Sequence, residues 1–327
     1  MALEFLLLCV GLAVLLLGGE MLVRGATGLA SDLGVSPLVI GLTVVAFGTS
    51  APELAVNLIA ASQGRGAISF GNVIGSNMAN IGLIVGCTAL LRPIVITGVV
   101  INREIPMMLL ATAAAVAMGF DQLSGAAQSA YDPNEGLVLL LFFLVFLYYT
   151  VFDFVKRRAG NGGGALPDLA RASGGSVWRH VLLTCVGLVA LIGGADITVD
   201  AAVYVARTFG VPEEVIGLTL LAVGTSLPEL VTSVIATLRG HAELAIGNVV
   251  GSNIFNLLLV LAVTTLVGSV PVPDGGHNDL LVMALLSVIL FLVSRMGDRR
   301  IIRSEAVVLL LIYFGYLTWR SSQVLTG

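Results

Sequence analysis

The chain has 327 residues, of which 57% are apolar and 11% are charged, and its formal net charge is −4 at pH 7. A soluble protein of this length needs far more polar surface to cover itself, so the composition excludes an ordinary soluble domain. The weak negative charge does not favour a nucleic-acid partner, and we expect none.

Apolar runs long enough to cross a bilayer follow one another from end to end. The first has no Lys or Arg before it, which favours a membrane span over a cleaved signal peptide. In chain order, the predicted spans cover residues 3–23, 37–62, 67–91, 104–120, 136–155, 177–206, 214–238, 243–269, 280–295 and 304–320. The sequence therefore predicts an all-α polytopic membrane protein with ten transmembrane helices in a lipid bilayer.

Two segments of the chain recur. Gly41–Leu54 reads GLTVVAFGTSAPEL, and Gly217–Leu230 reads GLTLLAVGTSLPEL. Gly71–Asn80 reads GNVIGSNMAN, and Gly247–Asn256 reads GNVVGSNIFN. Both pairs are separated by 176 positions, the difference between 217 and 41 and between 247 and 71. A polar, acidic motif that recurs within apolar surroundings indicates an ion site at a repeat interface in a membrane.

The constant offset divides the chain into two halves of five spans each. An odd number of spans per repeat makes the second half enter the membrane from the opposite side, so the repeats are inverted. We expect a first five-helix repeat over residues 1–155 and a second, inverted repeat over 177–327. Residues 156–176 are short, Gly-rich and charged, which is typical of a linker.

The basic residues predict the orientation in the membrane, because cytoplasmic loops carry an excess of Lys and Arg. Three of the sixteen are on the N-terminal side of the predicted spans: Arg65, Arg207 and Arg320. The other thirteen are on the opposite side: Arg24, Arg92, Arg103, Lys156, Arg157, Arg158, Arg171, Arg179, Arg239, Arg295, Arg299, Arg300 and Arg303. The bias predicts a cytoplasmic linker, with both termini outside. Glu20 is predicted to be interfacial, as are Asp196 and Asp200.

The GTSxPE motif concentrates oxygen donors on one helix face. Thr49 and Glu53 are four residues apart and Ser50 and Glu53 are three apart, so the three side chains share a face. The second copy supplies Thr225, Ser226 and Glu229. A proline inside each motif interrupts the helix and loosens backbone carbonyls, which in a membrane must line a cavity or bind something. Carboxylate, hydroxyl and carbonyl oxygens suit Ca²⁺, Na⁺ or Mg²⁺.

The GNVxGSN motif adds hydroxyl and amide oxygens. Ser76 and Asn80 are four residues apart, and Ser252 and Asn256 repeat this spacing. Each motif also contains a GxxxG pattern, whose small residues let helices approach closely. We expect this approach to press the polar side chains against the glutamate-bearing helices.

Together these motifs resemble the paired α-repeats of the calcium/cation antiporter superfamily, and the chain is most similar to its prokaryotic sodium/calcium exchangers. The resemblance implies ligands from Thr49, Ser50, Glu53, Ser76 and Asn80, and from their counterparts Thr225, Ser226, Glu229, Ser252 and Asn256. It also implies backbone carbonyl ligands at Ala46 and Ala222. Some relatives carry an aspartate where this chain has Asn80 or Asn256, and its absence argues against potassium dependence.

Three other functions compete with this interpretation. A channel needs a continuous pore, whereas inverted repeats with broken helices favour alternating access. An intramembrane enzyme needs an activated nucleophile or a metal with open coordination, and no such motif is present in the spans, so we expect no enzymatic activity. A proton/calcium antiporter, or one for another divalent cation, remains the alternative. We expect calcium and sodium ions as substrates, no cofactor, no obligate protein partner, and a location in a prokaryotic inner membrane.

Overall fold

The computed structural model describes residues 2–120, 129–160, 177–210, 222–296 and 299–326. Helices of the first half are α1 (Ala2–Leu33), α2 (Pro37–Ile40), α3 (Ala46–Thr49), α4 (Ala51–Ser62), α5 (Gly66–Met78), α6 (Gly86–Leu91), α7 (Ile105–Gly119) and α8 (Pro133–Gly160). Those of the second half are α9 (Val177–Thr208), α10 (Ala222–Thr225), α11 (Leu227–Leu238), α12 (Ala242–Phe255), α13 (Leu261–Val267), α14 (Gly276–Arg295) and α15 (Arg303–Thr326). Within the described ranges, four π-helical segments join some of them: Gly41–Val45, Ala79–Val85, Val100–Glu104 and Asn256–Val260.

The all-α polytopic fold is confirmed. In the part of the chain that is described, eight helical segments are long and apolar enough to cross a membrane. The seventh predicted span is seen only from Ala222 onward, because residues 211–221 lie outside the described ranges. The tenth is the 24-residue helix α15, which is less apolar than those eight. The first span is longer than predicted, since α1 continues past residue 23 to Leu33.

Two short antiparallel ladders join the two halves. Strand β1 (Ile94–Val95) pairs with β4 (Arg300–Ile301), and β2 (Ala130–Tyr131) pairs with β3 (Val270–Pro271). Each ladder therefore contains one strand from each half of the chain. The strands β1 and β3 are 176 positions apart, so the repeat extends into the loops.

The first helix of each half packs against the other along a seam of glycines. A Cβ atom at Gly18 would lie 2.4 Å from the backbone nitrogen of Leu191, and one at Gly194 would lie 2.4 Å from that of Leu15. One at Gly187 would lie 2.4 Å from the nitrogen of Leu22. Small residues at these positions let α1 and α9 approach backbone to backbone, as in close-packed membrane helices.

Glu20 connects this helix pair to the rest of the protein. Its carboxylate lies 2.6 Å from Arg24 Nε in α1 and 2.7 Å from an Arg239 guanidinium nitrogen at the end of α11. Arg239 Nε makes a second contact with Glu20, at 3.1 Å. The interfacial position predicted for Glu20 is therefore used to bind α1 to α11.

Candidate ion-binding site

Each GTSxPE motif lies where a helix is interrupted. In the first half, α3 ends at Thr49, Ser50 adopts φ −83° and ψ 2°, and α4 begins at Ala51. In the second half, Ser226 adopts φ −90° and ψ 3° between α10 and α11. The proline of each motif lies in the first turn of the following helix, where a missing N–H costs no hydrogen bond. The predicted interruption is present in both halves.

The interruption places both glutamates at the start of a helix. Glu53 is the third residue of α4, and Glu229 is the third residue of α11, where the helix dipole favours negative charge. Ser50 and Ser226 precede them with the spacing of a capping box. Neither serine makes a side-chain capping hydrogen bond, so this structural explanation of the motif does not apply.

The two glutamates are buried, and a hydrogen bond links the first motif to the glutamate of the second. Glu53 is 1% exposed and Glu229 is 0% exposed. The Ser50 hydroxyl of the first half donates to Glu229 Oε1 of the second half at 3.5 Å. The site is therefore shared between the two halves, as the sequence predicts.

Three of the four carboxylate oxygens have no hydrogen-bond partner among the described residues: Glu53 Oε1, Glu53 Oε2 and Glu229 Oε2. Within the same ranges, no ion pair joins either glutamate to a basic side chain. A buried carboxylate without a counter-charge is costly. The arrangement is therefore suited to a bound cation.

Hydroxyl oxygens surround the carboxylates. Ser76 lies near Glu53, and Thr49, Ser50 and Ser252 lie near Glu229. Of these four, Ser50 is the one whose hydroxyl has a hydrogen bond to a carboxylate oxygen in the described part of the chain. The hydroxyls of Ser76, Ser226 and Ser252 are buried without a partner in the described part of the chain. Such lone pairs, buried beside two acids, are available to a cation.

Asn80 and Asn256 each lie at the start of a π-helical segment. Asn80 is the second residue of Ala79–Val85, and Asn256 is the first residue of Asn256–Val260. Both side chains are buried, and the amide oxygen of each lacks a hydrogen-bond partner among the residues described. The wider π turns are absent from our sequence prediction, which treats these segments as ordinary helix. Single π turns occur frequently at functional sites because they change the direction of the side chains around them.

The alanines predicted to supply backbone ligands occupy equivalent places in the two halves. Ala46 begins α3, which ends at Thr49, and Ala222 begins α10, which ends at Thr225. The Ala46 carbonyl accepts the Ser50 N–H at 3.0 Å and the Thr49 hydroxyl at 3.4 Å. In the second half, the Ser226 N–H donates to Val223 O at 3.1 Å.

A second set of amides touches the predicted ligands. The Thr49 hydroxyl donates to Asn248 Oδ1 at 3.2 Å, and the Thr225 hydroxyl donates to Asn72 Oδ1 at 3.3 Å. Asn72 and Asn248 are repeat counterparts in the GNVxGSN motifs, but they are not among the ligands that the resemblance implies. Their recurrence at the offset of 176 is the signal that marks them.

The GxxxG pattern of the second half packs as predicted. A Cβ atom at Gly247 would lie 2.8 Å from Leu38 O, and one at Gly251 would lie 2.9 Å from Leu42 O. This close contact holds α12 against the segment that leads into Thr49. For Gly71 and Gly75, the corresponding partner segment, 214–221, lies outside the described residues.

The donor set is made of oxygens. The described residues contain no group of three or more His, Cys, Asp or Glu side chains that could hold a metal ion. Two carboxylates with several hydroxyl and amide oxygens match the preference of Ca²⁺ and Na⁺. A soft transition metal would need nitrogen or sulfur ligands, which the site lacks among these residues.

Comparison with known families and proteins gives one consistent result. The family model described as sodium/calcium exchanger protein matches residues 3–152 and 179–321. The sodium/calcium exchanger MaX1 of Methanosarcina acetivorans is 34% identical over 342 residues, which cover 96% of this chain and 97% of MaX1. The inner membrane protein YrbG of Escherichia coli is 34% identical over 328 residues, which cover 98% of this chain and 96% of YrbG.

A solved structure gives the same result at the level of the fold. The sodium-calcium exchanger NCX_Mj, soaked with 10 mM Na⁺ and zero Ca²⁺, superposes with a TM-score of 0.82 at 32% sequence identity. The superposition covers 97% of this chain and 98% of NCX_Mj. The likeness therefore includes both halves of the chain and the site between them.

Proposed function

Because this chain belongs to the sodium/calcium exchanger family, we propose that it is a secondary active antiporter that exchanges sodium for calcium by alternating access. The family assignment makes it an integral membrane protein and a calcium/cation antiporter. The choice of sodium rather than protons as the driving ion is our proposal. The transported ions are its substrates, and we propose no cofactor and no enzymatic activity.

One observation supports sodium most directly. Only two acids, Glu53 and Glu229, lie among many buried hydroxyl and amide oxygens that have no hydrogen-bond partner in the described residues. A proton needs only the carboxylates, whereas a sodium ion needs a shell of neutral oxygen ligands. The ligands we propose are Thr49, Ser50, Glu53, Ser76, Asn80, Thr225, Ser226, Glu229, Ser252 and Asn256, with the carbonyls of Ala46 and Ala222.

The charges explain why the exchange is obligatory. Glu53 and Glu229 supply two negative charges when ionised, and one Ca²⁺ or two Na⁺ neutralise them. With neither ion bound, the buried pair of carboxylates is costly and resists the conformational change. One set of ions must therefore be replaced by the other before the site changes sides.

Transport into proteoliposomes tests the driving ion. We expect calcium uptake when the purified protein faces an outward sodium gradient at equal pH on both sides. We expect no uptake when a proton gradient replaces it in sodium-free buffer. Uptake driven by protons alone would identify the proton/calcium antiporter instead. The Glu53→Gln variant is the control for leak in both arms.

We also propose an orientation, which rests on the distribution of basic residues. Both termini lie outside the cell, and residues 156–176 form a cytoplasmic linker between the repeats 1–155 and 177–327, although helix α8 continues through the first five of these residues to Gly160. The inner membrane of a prokaryotic cell is the proposed location, supported by the similarity to YrbG. In this orientation the contact between Glu20 and Arg239 lies at the cytoplasmic face.

A further inference from the structure

We propose that Asn248 and Asn72 are positioning residues that orient the hydroxyls of Thr49 and Thr225 toward the transported ion. The inference rests on the proposed function, because it takes the two threonines as ion ligands. Neither asparagine need touch the ion. Each acts by accepting the hydroxyl proton of the threonine that it faces.

The chemistry of a hydroxyl ligand explains the need for such an acceptor. A threonine hydroxyl has one proton and two lone pairs, and it rotates to suit its partners. A cation needs a lone pair directed at it and is repelled by the proton. A hydroxyl whose proton is already bound by an acceptor on one side presents its lone pairs on the other.

Most helical threonines in this chain bind their proton differently. Thr27, Thr43 and Thr112 donate to the carbonyl four residues earlier, at 2.6–2.9 Å. Thr49 makes only a long contact with Ala46 O, at 3.4 Å, and its shorter contact is with Asn248 Oδ1 at 3.2 Å. Its proton is therefore drawn toward another helix, away from the backbone of its own.

A second hydrogen bond holds the Asn248 amide in place. Asn248 Nδ2 donates to Ser233 Oγ at 3.2 Å, while Oδ1 accepts from Thr49 at 3.2 Å. In the flipped arrangement, Nδ2 would donate to the Thr49 hydroxyl and occupy the lone pair that the ion needs. All three side chains are buried, so water does not compete for these contacts.

Asn72, the counterpart of Asn248, has no equivalent of this second hydrogen bond among the described residues. The counterpart of Ser233 is Asn57, whose amide donates to the backbone oxygen of Glu53 at 2.7 Å. Asn72 Nδ2 has no hydrogen-bond partner among the described residues, although its Oδ1 accepts from Thr225. The Thr49 side of the site is therefore more firmly oriented than the Thr225 side.

A double-mutant cycle on calcium affinity tests the proposal. The variants are Thr49→Val, Asn248→Leu and their combination, measured by calorimetric titration of the purified protein with calcium in sodium-free buffer. We expect Thr49→Val and Asn248→Leu each to weaken calcium binding by roughly five- to tenfold. We expect the combination to bind no more weakly than Thr49→Val alone, since the asparagine then has no hydroxyl to orient.

Asn253→Leu is the matched control. Asn253 lies five residues further along α12 and is equally buried, but its amide donates to the Met108 sulfur at 3.6 Å and not to a predicted ligand. We expect it to change thermal stability without coupling to Thr49→Val. Should Asn248→Leu fail to fold, Ser233→Ala replaces it in the double-mutant cycle, because it removes only the hydrogen bond to Asn248 Nδ2.

Two results would overturn the proposal, and they differ in what else they affect. If Asn248→Leu or Ser233→Ala weakens calcium binding equally with and without the Thr49 hydroxyl, the orienting role is wrong and the ligand assignment stands. If Thr49→Val leaves calcium affinity unchanged, Thr49 is not a ligand, and both the orienting role of Asn248 and the assignment of Thr49 as a ligand are wrong. The choice between sodium and protons is measured separately by the gradient experiment and does not enter this cycle.

Discussion

Replacing Gly194 with alanine should separate the two long helices that hold the halves of the protein together. The new Cβ atom would lie 2.4 Å from Leu15 N, 2.8 Å from Leu15 Cα and 3.0 Å from Gly11 O. All three are backbone atoms of α1, so no side chain can rotate out of the way. Ordinary contact begins near 3.4 Å, which means that the helices must move apart by about 1 Å at this point.

The neighbouring glycine, Gly193, provides a control for which the same substitution should raise the free energy of unfolding instead of lowering it. A Cβ atom at Gly193 would meet no atom of the described chain within 4 Å. Alanine there gains about 0.5–1 kcal/mol from lower backbone entropy in the unfolded state. The same gain applies at Gly194, but overpacking there costs about 1–3 kcal/mol, so the two variants should differ by about 1–3 kcal/mol although they make the same chemical change.

Thermal unfolding in detergent, followed by size-exclusion chromatography of heated samples, measures this difference. We expect Gly193→Ala to unfold at or above the temperature of the parent protein and Gly194→Ala several degrees below it. Equal unfolding temperatures for the two variants would refute the close packing of α1 against α9.

Three further predictions concern calcium transport, closure of the ion pathway and orientation in the membrane. Glu53→Gln and Glu229→Gln should each abolish calcium flux in proteoliposomes without loss of fold, since each removes half of the negative charge that balances Ca²⁺; near-normal flux in either variant would contradict the site. Glu20→Gln should speed the labelling of a cysteine in the ion pathway by a reagent added on the side of Arg239. The rise should be at most about fivefold, as expected for a largely exposed ion pair. An unchanged labelling rate would exclude a role of Glu20 in closing that face. Ser173→Cys, in the linker, should react with a membrane-impermeant reagent only from the cytoplasmic side, and labelling of intact cells would reverse the orientation.

The centre of the protein could be predicted from the sequence because its signal is doubled. A serine three residues before a glutamate in an apolar helix is ambiguous, since Ser50 and Glu53 have the spacing of a capping box. The same pattern at Ser226 and Glu229, at a constant offset, favours an ion site. The structure brings the two copies together, because Ser50 Oγ contacts Glu229 of the other half.

Other features could not be predicted because they depend on contacts made only in the folded chain. The π turn at Ala79–Val85 has no sequence periodicity of its own, so the segment is predicted as ordinary helix. Strands of two residues, such as Ile94–Val95, are too short for an alternating pattern. They pair because the helices bring two loops together. The end of α1 at Leu33 was also missed, since polar residues after residue 23 indicate a span end while the helix itself continues.

The repeat is strict at the centre but is broken at Glu20, Arg24 and Arg239, and this difference has a consequence for the transport cycle. If the two halves were identical, the states open to either side would have equal energy, because inversion of the repeats exchanges them. The contact of Glu20 with Arg24 and Arg239 breaks that equality. The counterparts of these three residues, 176 positions away, are Asp196, Asp200 and Gln63, which offer no basic partner. Closure at the Arg239 face is therefore favoured by an ion pair that these three counterparts cannot form with one another. Because such pairs contribute only about 0.2–1 kcal/mol each, the preference is small enough for bound ions to reverse it in every cycle.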